Sequence, residues 1–180
     1  MSHDTEEKTE RHEILVVDDT LDSLQLLTRI LTDHGYRVRP ASGGALALRS
    51  AAARTPDLIL LDVRMTDMDG YEVCRRLKLE ARSRDIPVLF ISGLGETPAK
   101  IKGFEAGGVD YITKPFQVEE VLARITAQLS LRMMQRQLEA QNTRLQLEIA
   151  EHTRTRHALQ KAKDELEWRV EERTAELKAE

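Results

Sequence analysis

Ile14-Leu15-Val16-Val17-Asp18-Asp19 is a short apolar run, rich in β-branched residues, that stops at two carboxylates. Such a run suits a strand buried on both faces of a sheet. The same grammar recurs downstream. Leu58-Ile59-Leu60-Leu61 ends in Asp62, Val88-Leu89-Phe90-Ile91 ends in Ser92, and Tyr111-Ile112-Thr113 ends in Lys114. Tyr36-Arg37-Val38 reads as a further strand. Leu21, Leu24, Leu27 and Leu31 repeat at helical spacing, and Ala45 to Ala53, Tyr71 to Leu79 and Ala99 to Ala106 also read as helices, with helix resuming at Val118. Five strands therefore alternate with five helices. Continuously apolar strands imply a sheet covered on both faces, and the alternation implies parallel pairing. The expected product is an open, doubly wound α/β fold whose ligand site lies beyond the carboxyl ends of the strands.

Composition narrows the function. The chain has 180 residues and a net charge of −4, which argues against a nucleic-acid surface. No apolar run approaches the roughly 20 residues needed to cross a bilayer. Met1 to Glu13 is polar and charged, unlike a signal peptide or anchor. A single cysteine, Cys74, excludes an internal disulfide and reads as a small residue on a helix face. The expected setting is cytoplasmic. Every Gly and Pro lies at or before Pro115, so the last stretch lacks the punctuation of a many-element fold and suits one long helix.

The fold places Asp18, Asp19, Asp62, Ser92 and Lys114 on one rim. An Asp at a strand end is often only the cap of the next helix, and a lone Lys-Pro is usually a turn. The convergence of four strand ends is what carries the functional reading. Three crowded carboxylates call for compensation, and Mg²⁺ takes oxygen ligands readily. An acidic cluster with a metal, a lysine and a hydroxyl suits the stabilisation of a transferring phosphoryl group. Asp62 would be the nucleophile and form an acyl phosphate. No phosphate-cradling glycine motif of the P-loop or dinucleotide-binding type is present.

ILVVDD at Ile14 to Asp19, PDLILLDVRMTDMDG at Pro56 to Gly70, VLFISG at Val88 to Gly93 and AGGVDYITKPF at Ala106 to Phe116 together resemble the receiver domain of two-component response regulators. The resemblance implies a flavodoxin-like sheet in the order 2-1-3-4-5. It implies that Asp62 accepts a phosphoryl group from a histidine kinase or a phosphotransfer protein. It implies Mg²⁺ held by Asp19, Asp62 and the backbone carbonyl of Arg64, with Asp18 acting largely through water. Ser92 and Lys114 would bond the phosphoryl oxygens, Lys114-Pro115 would be cis, and Tyr111 would be an aromatic switch that swings inward when Ser92 moves. The family usually has Pro where Thr66 stands, a departure expected to loosen the loop without touching the chemistry. Arg64 and Leu94 occupy positions that tune hydrolysis of the acyl phosphate, and a bulky cation with an apolar side chain there points to a long-lived phosphoryl state. A phosphatase of the haloacid-dehalogenase type fits worse, because it needs an acid where Arg64 stands.

From Val118 an amphipathic face (Val121, Leu122, Ile125, Leu129) should pack on the sheet. A seven-residue repeat then takes over. Leu131, Leu138, Leu145, Leu159 and Leu166 share the d position with His152 and Arg173. Gln135, Asn142, Ile149, Arg156, Lys163, Val170 and Leu177 hold the a position. Leu at d with a mixed a column reads as a parallel two-stranded coiled coil of modest stability. The expected organisation is a disordered N-terminal segment over 1–12, a receiver over 13–129, and a coiled-coil dimerisation and output helix over 130–180. The chain is expected to form a homodimer through that coil. It is expected to bind neither nucleic acid nor membrane, and to be no enzyme beyond assisting its own phosphorylation and dephosphorylation. Two alternatives stand: a constitutive dimerising scaffold, or the regulatory N-terminal part of a larger sensor kinase or nucleotide cyclase, since the last residues resemble helical linkers between signalling modules. His152 and His157 lack the setting of a kinase histidine and read as ordinary helix residues.

Overall fold

The apolar runs assemble into one five-stranded parallel sheet in the order β2-β1-β3-β4-β5. A computed structural model describes residues 12–93 and 102–179 of the chain. The strands are β1 (Glu13–Val17), β2 (Arg37–Ala41), β3 (Leu58–Asp62), β4 (Val88–Ser92) and β5 (Asp110–Thr113). The helices are α1 (Leu21–Asp33), α2 (Gly44–Ala53), α3 (Gly70–Leu79), a short α4 (102–105) and α5 (Val118–Ala179). The expected fold class and sheet order are those observed.

Alternation along each strand explains why the runs are apolar throughout. Leu15, Val17, Ile59, Leu61, Val88 and Phe90 point to one face and pack with Ala47, Ala51, Val73, Cys74 and Leu77 of α2 and α3. Ile14, Val16, Leu58, Leu60, Leu89 and Ile91 point to the other and pack with Leu24, Leu27 and Leu31 of α1 and Val121, Ile125 and Leu129 of α5. Two layers of side chains thus fix the sheet from both sides, and the strand ends share one rim.

Two elements differ from the sequence reading. β2 runs on through Arg39 and Pro40 to Ala41, although proline lacks the N–H a ladder needs. The position is tolerated because β2 pairs only with β1 and so lies at the sheet edge. Of the helix expected over Ala99 to Ala106, residues 102–105 are helical, while 99–101 lie outside the described residues. The N-terminal segment expected to be disordered also lies outside them apart from His12, whose carbonyl accepts the Arg37 N–H at 2.9 Å.

The chain divides into two units between Arg132 and Met133. The sequence reading ended the first at Leu129. Arg132 continues its buried stripe at 9% exposure, after Val121, Ile125 and Leu129. Residues 133–175 of the second unit are helical and exposed throughout. No described helix is long and apolar enough to cross a membrane.

Candidate functional site

Register brings the chemistry together. Asp62 closes β3, and the next residue, Val63, donates its N–H to the Ile91 carbonyl at 3.0 Å. On the other side of β4, the Lys114 N–H donates to the Ser92 carbonyl at 2.7 Å. The ladder therefore holds Asp62 and Lys114 on either side of the β4 terminus, where Ser92 is buried. The Lys114–Pro115 peptide is cis.

Asp18, Asp19 and Asp62 each offer a carboxylate oxygen within 4.8 Å of the others. Asp18 and Asp62 are only 1% and 6% exposed, so their charges need compensation. Lys114 supplies it: its Nζ donates to Asp62 Oδ1 at 2.6 Å and to Asp18 Oδ2 at 2.9 Å. Main-chain donors hold three further oxygens. Arg64 N–H donates to Asp62 Oδ2 at 2.9 Å, Thr20 N–H to Asp18 Oδ1 at 2.8 Å, and Thr66 N–H to Asp19 Oδ2 at 2.7 Å.

Burial lifts the Asp62 carboxyl above its ordinary range; the Asp18 charge adds to this, while Lys114 and the Arg64 N–H oppose it. Burial works against the Lys114 ammonium, but its bonds to Asp62 and Asp18 outweigh that and hold its pKa above the usual lysine value. One cation thus sits between two carboxylates with a third alongside. Three hard oxygen donors in this arrangement fit Mg²⁺, with Asp18, Asp19 and Asp62 as the residues that would hold it.

Thr66 corrects an expectation. Its departure from proline does touch the site, because the N–H that proline would lack anchors Asp19. Gly70 is fixed by close approach: a Cβ there would fall 2.3 Å from the Asp62 carbonyl oxygen, so only glycine lets α3 start against the end of β3. Asp69 caps that helix, accepting the Glu72 N–H at 2.7 Å. Asp67 does the same for α2 from outside it, accepting the Gly44 and Ala45 N–H groups at 3.1 and 3.0 Å. Nothing in the residue order announced that contact, since Asp67 and its helix lie over 20 residues apart.

Tyr111 is 6% exposed and stacks on Phe90, centroids 5.2 Å apart, with Phe104 edge-on at 5.9 Å. Its ring lies over Gly103, where a Cβ would clash with the phenol oxygen. Tyr111 is thus packed between Phe90 and Phe104. The Arg64 guanidinium reaches Gly93, where a Cβ would lie 3.0 Å from Nη2. Leu94, its expected companion, lies outside the described residues.

Over residues 14–126 the chain matches the response regulator receiver domain. It is 44% identical over 116 residues to the DNA-binding dual master transcriptional regulator RpaA of Synechocystis sp., covering 64% of this chain and 48% of that protein. It is 45% identical over 112 residues to the response regulator PleD of Caulobacter vibrioides, covering 62% of this chain and 25% of that one. The crystal structure of a putative response regulator from Chloroflexus aurantiacus superimposes with a TM-score of 0.66 at 36% identity, covering 67% of this chain and 99% of that one. The chain spans about half the length of RpaA and a quarter of PleD.

Proposed function

The chain belongs to the response regulator receiver family, and from that premise we propose that Asp62 is the phosphoacceptor of a two-component relay whose output runs through a dimeric C-terminal coil. The observation that carries the reading is the Lys114 ammonium bridging Asp62 and Asp18 at a buried strand end, with Asp19 alongside.

In the proposed reaction an Asp62 carboxylate oxygen attacks the phosphorus of a phosphohistidine on a histidine kinase or phosphotransfer protein. The new P–O bond forms as the P–N bond breaks, and the imidazole leaves and takes a proton from solvent. Mg²⁺, when bound by Asp18, Asp19 and Asp62, supplies positive charge against the phosphoryl oxygens. Lys114 is already placed to follow Asp62 from carboxylate to acyl phosphate, and Ser92 offers a hydroxyl on the adjacent strand end. The Arg64 side chain reaches Gly93, and a bulky cation at that position would hinder an attacking water and favour a long-lived phosphoryl state. Neither step requires this chain to be an enzyme toward another substrate, and the cytoplasm is the setting that a kinase partner implies.

The coil reading rests on the second unit. Leu138, Leu145, Leu159 and Leu166 recur at seven-residue spacing and are all more than half exposed, a seam that a second copy of the helix would cover. The same seam supports the scaffold reading, in which dimerisation is constitutive and the rim is silent. The relative lengths of RpaA and PleD support a third, in which this chain regulates a further module.

The test is incubation with a small phosphodonor and Mg²⁺, followed by intact mass. The wild type should gain one phosphoryl group and Asp62→Asn none; a wild type that gains nothing leaves the scaffold reading. Replacing Leu145 with cysteine, then comparing disulfide yields with and without a beryllium fluoride phosphoryl mimic, reads the coil. Identical yields would remove transmission while leaving the phosphoacceptor intact.

A further inference from the structure

The buried stripe of α5 ends on a charge. Val121, Ile125 and Leu129 are apolar, yet the next residue on that face is Arg132, 9% exposed. Its Nη1 donates to the Pro56 carbonyl at 3.2 Å and to the Asp57 carbonyl. These are the two residues immediately before β3, the strand that ends in Asp62. The same node reaches β1: the Asp57 carboxylate accepts the Glu13 N–H at 3.0 Å, and His12 Nδ1 lies 3.6 Å from it. One guanidinium thus fastens the last turn of α5 in the first unit to the foot of the strand whose head carries the phosphoacceptor. The division between the units falls directly after it.

Stability alone is a poor reason for this arrangement. A leucine would continue the stripe, whereas burying a guanidinium carries a desolvation penalty. A second cation stands nearby, for Arg132 is among the charges that hold the Lys78 ammonium below its usual pKa, after burial. What the guanidinium provides is geometry. The two N–H groups of its Nη1 meet two successive carbonyls, and a side chain held at both ends has one position. β3 is buried along its whole length, and a close-packed interior transmits strain rather than absorbing it.

We propose that Arg132 is a positioning residue, a latch through which the state of Asp62 is felt by α5 at the point where the second unit begins. This rests on Asp62 being the phosphoacceptor, not on the coil being dimeric. Displacement of β3 when Asp62 is loaded moves the carbonyls of 56 and 57, and Arg132 passes that movement to the helix.

The experiment is amide hydrogen exchange on the full chain, with Mg²⁺ and with or without beryllium fluoride, reading a peptide spanning 126–136. Wild type should change its exchange there on the order of threefold between the two states. Arg132→Leu should keep the fold and its uptake of one phosphoryl group while losing that difference. Arg132→Lys, which keeps a donor for the carbonyls, should restore most of it. A difference that persists undiminished in Arg132→Leu overturns the latch, and so does a wild type that takes up phosphoryl but shows none. Loss of the difference in Arg132→Lys as complete as in Arg132→Leu also overturns it, since a retained donor would then count for nothing. A wild type that takes up no phosphoryl group at all instead brings down the phosphoacceptor reading, and the latch with it.

Discussion

Leu58, Leu60 and Leu61 are wholly buried, whereas Leu138, Leu145, Leu159 and Leu166 are 54% to 69% exposed. Both sets are leucines at regular spacing in regular structure, and their surroundings separate them. The strand leucines meet helices on both faces of a sheet, so the first region completes its core within the chain. Among the described residues of their own unit, the helix leucines pack against no second element. The first region therefore stores its stability in itself, whereas the second leaves apolar surface exposed, which on the reading proposed above another helix would cover.

The sharpest way to break that contrast is to truncate one leucine on each side. Leu60→Ala removes a fully buried side chain and should cost about 3 kcal/mol of unfolding free energy, measured by denaturant titration. Leu145→Ala should leave the unfolding of the first region unchanged and weaken dimerisation about tenfold in sedimentation. Equal losses of receiver stability in the two variants would show that the regions do not differ as described.

A smaller effect sharpens the account of the second region. Arg156 and Lys163 occupy successive a positions, where a parallel pair would bring like charges together. Replacing both with leucine should tighten the dimer by about tenfold. A weaker dimer would mean that these cations face acidic groups of a different partner.

The site and the fold were unequally legible. Asp18, Asp19, Asp62, Ser92 and Lys114 could be found because each ends an apolar run, and the fold turns strand ends into a rim. Thr66 could not, since only the folded loop shows its N–H on Asp19. Arg132 could not either. A charged residue after an amphipathic helix reads as solvent-facing, and its carbonyl partners lie 75 and 76 residues away. The strand read at Tyr36-Arg37-Val38 was too short, because the edge position lets β2 continue through Pro40 to Ala41. Local pattern reveals what each element is; contacts between distant loops depend on where the elements come to rest.

The smallest expected effect concerns one such contact. Gly43 gives α2 no capping side chain, and Asp67 reaches across to the Ala45 and Gly44 N–H groups instead. Those two bonds, Ala45 first, hold the Asp67 carboxyl below its ordinary pKa of 3.8. A carboxyl whose folded pKa is depressed adds stability above its unfolded value and loses it as pH falls through the folded one. Asp67 is well exposed to solvent, so screening keeps the contribution below about 1 kcal/mol. Asp67→Asn keeps an acceptor oxygen but removes the charge. The gap in denaturation midpoint between wild type and this variant should be constant from pH 7 to 5 and close progressively below pH 3.8. Because every other carboxyl titrates alike in both proteins, the closing gap belongs to Asp67. A gap that stays open in acid would mean that the α2 terminus is held by the shape of the loop rather than by the charge at its tip, and the loop beside Asp62 would then be anchored by packing alone.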